Sequence, residues 1–327
     1  MKTLFPAIAM AASFLLAMTA PSTAQTVFRL GTGATPAHPN GVMAETFKQE
    51  VERLSEGRVS IQIYPNASLG GELELANQVR NGELDICSVA TPVVATISAA
   101  VQLSELPFFY KDYDTARRVM DGEPGQMALA TLEEQGVKGL AWGEIGFRGV
   151  LNSVKPIESA DQVKGMKIRV VENRLYVDTW RALGANPVPM SWPEVYTGLQ
   201  QKTVDGVDTN YAGMIDAKHY EVAKHLALTN HSYTSNVIMM GLDKYNALPD
   251  DLKAIFLEAA KAGSAASRAA AQAIDADAVR IMTENGVAVT EPERAPFQEA
   301  LKPVHAAFSK RIGQEIVDKA IAMMSGS

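Results

Sequence analysis

The amino-acid sequence predicts an α/β protein of two similar lobes. Three observations carry this prediction. Strand-like and helix-like segments alternate through the first part of the chain, and the same alternation restarts after residue 136. An alanine-rich run then begins at Pro249 and continues for more than thirty residues. Alternating strands and helices are typical of a parallel sheet with helices on its faces.

The first lobe is predicted from the order strand, helix, strand, helix, strand. The segments that carry it are "VFRLGTGA", "NGVMAETFKQEVERLSEG", "RVSIQIYP", "GELELANQVRNG" and "LDICSVA". In the first helix Val42, Phe47, Val51 and Leu54 recur at helical spacing, and Gly57 ends it. The stretch "TARRVMDGEPGQMALATLEEQG" predicts further helix that is interrupted at "GEPG".

The second lobe is predicted from the same alternation of strands and helices. Its segments are strand-rich "VKGLAWGEIGFRGVLN", strand "MKIRVV", helix "NRLYVDTWRALG", extended "NPVPM", helix "SWPEVYTGLQQKT" and strand "VDGVDT". "QVRNGELDI" and "GLQQKTVDG" share a short pattern, because both run from helix through a polar break to an apolar residue, an Asp and a strand. This similarity supports two similar lobes. We assign residues 25–147, with part of 236–275, to lobe 1. Residues 148–235, with the C-terminal helices to residue 327, form the predicted lobe 2.

The alanine-rich run predicts one long helix. Pro249, Asp250 and Asp251 suit a helix N-terminus. At 1.5 Å per residue the helix would extend about 50 Å, which is longer than one lobe needs. Two helices broken near Gly263 and Ser264 are the alternative. "PFQEALKPVHAAFSKRIGQEIVDKAIAMM" predicts closing helices.

The N-terminal residues predict export. Lys2, the apolar "LFPAIAMAASFLLAMTA" and the small residues before Gln25 form a signal peptide over residues 1–24. An uncleaved anchor is the alternative, and no later stretch approaches the ~18 apolar residues of a membrane span. We therefore expect a soluble periplasmic protein.

Charge and cysteine content exclude several classes of function. The formal charge is −7, and removal of residues 1–24 takes away one cation, Lys2, and no acid, which gives −8. This balance argues against nucleic acid and anionic membranes as partners, and an anionic ligand would need a local cationic site. Cys87 is the only cysteine, so neither an internal disulfide nor a cysteine zinc site is possible.

Catalytic and cofactor motifs are not found. The five histidines form neither HxxxH nor HExxH, no GxSxG occurs, and "GTGATPAHPNG" lacks the GxGxxG spacing of a dinucleotide turn. We predict no catalytic residues, no cofactor and no metal. Glu172, Asp208 and Asn210 could still contribute oxygens if a cation assisted binding.

Two arginines in apolar strand contexts are the positive signal. Arg169 lies in "KIRVV" and Arg148 in "GFRGVLN". A buried arginine must be paired, because an unpaired charge costs several kcal/mol. Internal partners such as Glu172, Asp178 and Glu194 would explain Arg148 as well as a ligand would. For Arg169 we favour a ligand carboxylate, held through two parallel N–H···O bonds at a strand end.

Three stretches resemble a known family. "GMKIRVVENRLYVDTWRALGANPVPMSWPEVYTGLQQKTVDGVDTN", "YPNASLGGELELANQVRNGELDI" and "ALPDDLKAIFLEAA" resemble the DctP-type substrate-binding proteins of tripartite ATP-independent periplasmic (TRAP) transporters. The resemblance covers nearly the whole mature chain. It implies a two-lobe periplasmic binding protein fold with a ligand cleft between the lobes and a long helix spanning both.

The resemblance also implies site residues in the second lobe. The arginine of the family's K-[IL]-R-V strand pairs with the ligand carboxylate and corresponds to Arg169, and a second family arginine corresponds to Arg148. An aromatic residue that packs on the ligand corresponds to Trp192. Many relatives continue "VDG" with "QENP", whose Asn contacts the carboxylate. This chain has "VDTN", which places Thr209 at that position and Asn210 after it, so the polar contact differs.

In the first lobe the matching loops are "AHPNG", "LGGELE" and "SVATP". They contribute His38, Glu72 and Thr91, and loops at these places vary within the family and would set selectivity.

The leading hypothesis is a periplasmic receptor that captures a small organic acid by a carboxylate–arginine clamp and delivers it to TRAP permease subunits. The acid could be a dicarboxylate, a sugar acid, a keto or hydroxy acid, or an aromatic acid. One alternative is an exported enzyme on a similar scaffold, with Glu72 or His38 as a base. Another is a binding protein for a different importer or a sensor, since a fold does not name its partner.

Overall fold

The computed structural model describes residues 25–325. The predicted signal peptide over residues 1–24 lies outside the described residues. Within them, no helix combines the length and the apolar character needed to cross a bilayer.

The strands are β1 Thr26–Thr32, β2 Val59–Tyr64, β3 Ile86–Ala90, β4 Val137–Asn152, β5 Lys167–Val170, β6 Asn186–Pro189, β7 Gly206–Asn210, β8 His225–Ala227, β9 Tyr233–Gly241 and β10 Ala288–Thr290. The α-helices are α1 Pro39–Leu54, α2 Glu72–Arg80, α3 Thr91–Val94, α4 Tyr113–Asp121, α5 Glu123–Ala130, α6 Arg174–Ala182, α7 Val195–Gln200, α8 Tyr211–Asp216, α9 Leu242–Asn246, α10 Asp250–Glu284, α11 Arg294–Ile312 and α12 Gln314–Ser325. The alternation predicted for both halves is confirmed, including the interruption at Gly122 between α4 and α5.

The ten strands form one mixed sheet, in which eight follow the order β2-β1-β3-β9-β4-β7-β5-β6, while β8 pairs with β4 and β10 pairs with β8. The pairs β1–β2, β1–β3, β5–β6 and β5–β7 are parallel, as the alternation predicts. The middle of the sheet differs, because β9 is antiparallel to both β3 and β4. Strand β9 is buried along its whole length and carries no alternation of apolar and polar residues, so periodicity did not predict it.

Strand β4 runs through both halves of the molecule. Up to Phe147 it pairs with β9, and from Arg148 onwards it pairs with β7. The change of partner falls at the predicted boundary between lobes 1 and 2. That division stays a prediction, and α12, which we assigned to lobe 2, packs against α4 and α5 of lobe 1.

Helix α10 is one unbroken helix of 35 residues, so the alternative with a break near Gly263 is wrong. It packs against α1 in the first half of the chain and against α8 in the second, and also along β4. At the contact with α1, Phe256 packs edge-on against Phe47 with ring centroids 5.6 Å apart. Phe47 and Phe256 belong to an apolar cluster that fills one face of the first lobe's sheet. A larger apolar cluster fills the opposite face and continues under α6 and α11.

Gly263 permits the close approach of α10 and α1. A Cβ atom at this position would lie 2.9 Å from the carbonyl oxygen of Met43, which is backbone and has little room to move. We predict that Gly263→Val lowers the free energy of unfolding by about 1–3 kcal/mol, the usual cost of overpacking. The measurement is urea unfolding followed by circular dichroism.

Ala265→Val is the matched control, because Ala265 lies on the exposed side of the same helix. It should cost only the modest helix propensity of valine, at most about 0.7 kcal/mol. Equal losses in the two variants would contradict the close packing at Gly263.

Candidate functional site

A cavity lies between the two halves of the molecule, at the carboxyl ends of parallel strands. Its volume is about 520 Å³, including the part that opens to solvent. The cavity is reached by residues at or just after the ends of β1, β3, β5 and β7, which is where α/β sheets usually hold ligands. Seven of the eight residues predicted for the site line it: His38, Glu72, Arg148, Arg169, Trp192, Thr209 and Asn210.

Arg169 on β5 is only 3% exposed. Its Nε and Nη2 both donate to the carbonyl oxygen of Met190, at 3.0 and 2.7 Å, which fixes one edge of the guanidinium. Among residues 25–325, no carboxylate forms a salt bridge with it. Burial, followed by the nearby charge of Arg148, lowers the pKa of Arg169 to about 10. The side chain is therefore a buried cation that lacks a counter-ion.

Arg148 on β4 differs, because it has an internal counter-ion. Its Nε donates to Asp208 Oδ1 at 2.7 Å and its Nη2 to the Asp208 carbonyl oxygen at 2.7 Å, while Nη1 donates to Thr234 at 3.2 Å. Burial is the largest single influence and acts against the charge, but Asp208 together with Tyr176 and Glu105 outweighs it and raises the pKa of Arg148 above its usual value. The partner is none of the acids considered from sequence, Glu172, Asp178 and Glu194.

Asp208 is fully buried and held from several sides. Besides Arg148, it accepts from Trp180 Nε1 at 2.6 Å, and His231 Nε2 lies 3.2 Å from its Oδ1. Burial alone would raise the pKa of Asp208, but the charge of Arg148 holds it well below its usual range. Arg148 and Asp208 thus form a neutral ion pair, whereas Arg169 has no carboxylate within salt-bridge distance among the described residues.

The opposite wall is formed by the first half of the chain. Glu72 Oε1 accepts from Asn40 Nδ2 at 3.3 Å and from the backbone N–H of Ala90 at 3.2 Å. Burial raises the pKa of Glu72 to about 6, although the Ala90 N–H and then the charge of Arg169 act in the opposite direction. Asn40 is 2% exposed, and its Oδ1 has no hydrogen-bond partner among the described residues.

His38 is the N-cap of α1 and lies in the same wall. Its Nδ1 accepts from the backbone N–H of Asn40 at 3.2 Å. Burial lowers the pKa of His38 to about 4, although Asp216 acts in the opposite direction. The imidazole is therefore neutral at neutral pH, and because Nδ1 accepts, the proton lies on Nε2.

The remaining predicted residues complete the second wall. Asn210 is the N-cap of α8, with Oδ1 accepting from the Gly213 N–H at 2.7 Å. Thr209 lies beside it on β7 and lines the cavity. The Trp192 ring lies 5.5 Å from the Arg169 guanidinium and packs edge-on against His219. The aromatic ring thus lies against the Arg169 guanidinium in a cation–π contact.

Thr91 does not line the cavity. Its hydroxyl lies within hydrogen-bond distance of the Glu105 carboxyl group and, at 2.9 Å, of the carbonyl oxygen of Ser235. Its neighbours Ala90 and Pro92 line the cavity instead. Asn40 and Thr234 also line it and were not predicted. Asn40 shares the "AHPNG" loop with His38, so that loop was the available signal, whereas Thr234 lies on the unpredicted strand β9.

The two halves contact each other across the cleft. Thr35 donates to Asp216 at 2.5 Å, and Asn173 donates to the carbonyl oxygen of Pro92 at 2.6 Å. Gln102 donates to Asn173 at 2.8 Å. These contacts join the two halves beside the cavity, where Arg148, Arg169 and Asn40 are buried while Glu72 and Trp192 stay partly exposed.

The cavity suits an anion. Within residues 25–325, no group of three or more His, Cys, Asp and Glu side chains is arranged to hold a metal ion. A buried guanidinium with one free edge can bind a carboxylate through charge-assisted hydrogen bonds. A two-lobe α/β fold that closes on such a cavity defines a binding protein for a small anionic solute.

Comparison with known proteins identifies the family. The family model named DctP, described as bacterial extracellular solute-binding protein, family 7, matches residues 30–311. The chain belongs to this family, and the resemblance and the two-lobe fold inferred from sequence are confirmed.

Individual relatives agree with this assignment. A solute-binding protein of Verminephrobacter eiseniae is 33% identical over 301 residues, covering 92% of this chain and 90% of the relative. The crystal structure of a TRAP periplasmic solute-binding protein from Polaromonas sp. JS666, bound to D-erythronate, has 33% identity and a TM-score of 0.88, covering 90% of this chain and 98% of that chain. A TRAP periplasmic solute-binding protein from Chromohalobacter salexigens, with bound D-glucuronate, has 30% identity and a TM-score of 0.86, covering 92% and 100%.

The pair of Arg148 and Asp208 yields a stability prediction. Asp208→Asn leaves the buried guanidinium without a counter-ion, so the free energy of unfolding should fall by about 3–5 kcal/mol. Asp178→Asn is the control, because Asp178 pairs with the exposed Arg174 and should change stability by at most about 1 kcal/mol. Urea unfolding at neutral pH measures both, and equal effects would contradict the role of Asp208.

Proposed function

We propose that this protein is a periplasmic receptor for a small organic acid. The ligand carboxylate binds at Arg169, Arg148 and the polar groups of β7 and α8 complete the cavity, and closure of the lobes buries the ligand. The two relatives of known structure described above hold D-erythronate and D-glucuronate, and both ligands are organic acids with one carboxylate.

The observation that carries the proposal is the state of Arg169. A desolvated cation without a counter-ion is unfavourable, and its pKa is lowered accordingly. An anion that enters the cavity pairs with Arg169 and removes this penalty. Part of the binding free energy therefore comes from removing the cost of the buried, unpaired charge. An arginine with a purely structural role would have an internal carboxylate, as Arg148 has.

Family membership supports a role in transport. We propose that the mature protein acts in the periplasm and passes its ligand to TRAP permease subunits. No catalytic step is needed, because affinity comes from charge pairing and selection from the first-lobe wall. Closure around the ligand would be the signal that the permease recognises.

Thermal unfolding against a panel of acids tests the proposal. The panel holds C4-dicarboxylates, aldonic and uronic acids, 2-keto acids and aromatic acids, with neutral sugars and amines as controls. A ligand that binds only the folded protein raises the unfolding midpoint by mass action. We expect a shift with acids only. Shifts confined to neutral or cationic compounds would refute an acid receptor.

Arg169→Lys tests the clamp. Lysine keeps the charge but loses the planar pair of donors, and we expect roughly hundredfold weaker binding of the acid found above. Isothermal titration calorimetry measures the affinity. Arg174→Lys is the control, because Arg174 is exposed and pairs with Asp178 at 2.7 Å. Wild-type affinity in Arg169→Lys would show that Arg169 does not bind the carboxylate.

A further inference from the structure

Glu105 is a buried carboxyl group that does not line the cavity. It ends the 3-10 helix Ala99–Glu105 and is 1% exposed. Among residues 25–325, no lysine, arginine or histidine lies within salt-bridge distance of it. Burial without a neighbouring cation disfavours the ionised form of a carboxyl group. The side-chain groups that contact it are hydroxyl groups, those of Thr91, Ser104, Tyr176 and Ser232.

Glu105 joins the two halves of the molecule behind the cavity. In the first half its Oε1 contacts Thr91, which lies between two residues that line the cavity. In the second half its Oε2 contacts the hydroxyl group of Tyr176 on α6. The guanidinium of Arg148 lies 4.5 Å from the centre of the Tyr176 ring. The carboxyl group is therefore one side chain away from both walls of the site.

The contacts of Thr91 indicate that Glu105 carries a proton. A hydroxyl group has one proton, and Thr91 Oγ1 has two neighbours that accept it, Glu105 Oε1 and the carbonyl oxygen of Ser235 at 2.9 Å. If Thr91 donates to Ser235, its contact with Glu105 is a hydrogen bond that the protonated carboxyl group donates. Tyr176 donates to the other oxygen, so the neutral carboxyl group is satisfied at both ends.

The charge of Glu105 acts on the site through Arg148. Burial raises the pKa of Glu105 to about 7, although the charge of Arg148 and then the neighbouring hydroxyl groups act in the opposite direction. Above that pH the carboxyl group is ionised, and its negative charge weakens the attraction of Arg148 for an anion. By the same interaction, an anion bound in the cavity disfavours the ionised form of Glu105.

We propose that Glu105 is a positioning residue of the binding site, and that its carboxyl group takes up a proton when the organic acid binds. The proton maintains the hydrogen bonds that join Glu105 to Thr91 and Tyr176, and it removes a negative charge near Arg148. The inference rests on the proposed function, because it assumes that an acid binds in the cavity. Binding is then tighter below neutral pH than above it.

Other titratable groups lie around this carboxyl group. Tyr110 and Tyr176 are buried, which raises the pKa of both well above the usual range. Arg148 is paired with Asp208, and His231 Nε2 lies 3.2 Å from the same carboxylate. Helices α5, α11 and α12 also pack against the 3-10 helix, and none of their described side chains forms a hydrogen bond or ion pair with the carboxyl group. Proton uptake by His231 is therefore the alternative that the experiment must separate.

Calorimetry in buffers of different ionisation enthalpy counts the protons that the wild type takes up on binding. The probe is D-glucuronate or, if D-glucuronate does not raise the unfolding midpoint, the acid of the panel above that raises it most. We expect uptake of roughly half a proton per ligand at about pH 7.5, and a dissociation constant that falls roughly threefold to fivefold from about pH 8.5 to about pH 7. The acid itself is ionised throughout this range and takes up no proton.

Glu105→Gln imitates the protonated form, because an amide has one donating and one accepting end. Most of the proton uptake should be lost, and the dissociation constant should change by no more than about twofold over the same pH range. Glu72, with its pKa at about 6, accounts for the remainder. Asp275→Asn is the matched control, because the pKa of Asp275 is also raised to about 7 by burial but Asp275 lines a different pocket. It should keep the wild-type uptake, and thermal unfolding verifies that both variants fold.

Tyr176→Phe decides the inference if Glu105→Gln does not fold. It keeps the ring beside Arg148 but removes a hydroxyl group that lowers the pKa of Glu105. The fall in the dissociation constant should therefore move to higher pH. An unmoved pH profile would assign the proton to another group, such as His231, and the inference would fail.

Three further results would overturn the inference. They are binding by the wild type without proton uptake, unchanged uptake in Glu105→Gln, and an equal loss of uptake in Asp275→Asn. In each of these cases the proposed function stands, because an acid still binds. Binding of no acid of the panel would overturn the inference and the proposed function together.

Discussion

The site depends on a buried cation that the protein itself leaves without a counter-ion. Arg169 is held by the Met190 carbonyl oxygen, which orients the guanidinium but carries no charge. Such an arrangement lowers the stability of the empty closed cleft, because a desolvated charge is costly. The cost can be tolerated because the rest of the core is large, and it favours whichever state brings an anion to the arginine.

The second arginine shows how the protein keeps this effect local. If Arg148 also lacked a counter-ion, two like charges would face one small cavity, and both would need an anion. Asp208 prevents this, with Trp180 and His231 holding the carboxylate in place. Arg148 can therefore contribute hydrogen bonds and shape, while the charge balance of the cavity is set by Arg169 and by Glu72 on the opposite wall.

Much of the fold could be predicted from sequence, because its parallel strands and flanking helices have distinct periodicities. Strand β9 could not, since it lies in the middle of the sheet and is buried on both faces, which removes the alternation that reveals a strand. Arg169 and Arg148 stood out because charge is rare in apolar strands. The partner of Arg148 did not, because Asp208 lies 60 residues further along the chain, and only the pairing of β4 with β7 brings the two together.

Which side chains of the first-lobe wall face the cavity could not be predicted from the sequence alone. Thr91 and Glu72 are each the first residue of a helix, yet the Thr91 hydroxyl contacts Glu105 and Ser235 while Glu72 lines the cavity. Which side chain faces the ligand depends on how each loop leaves its strand, and a loop sequence does not encode that by periodicity. The cation lies on one wall and the acceptors on the other, so the cavity is polar in a fixed direction.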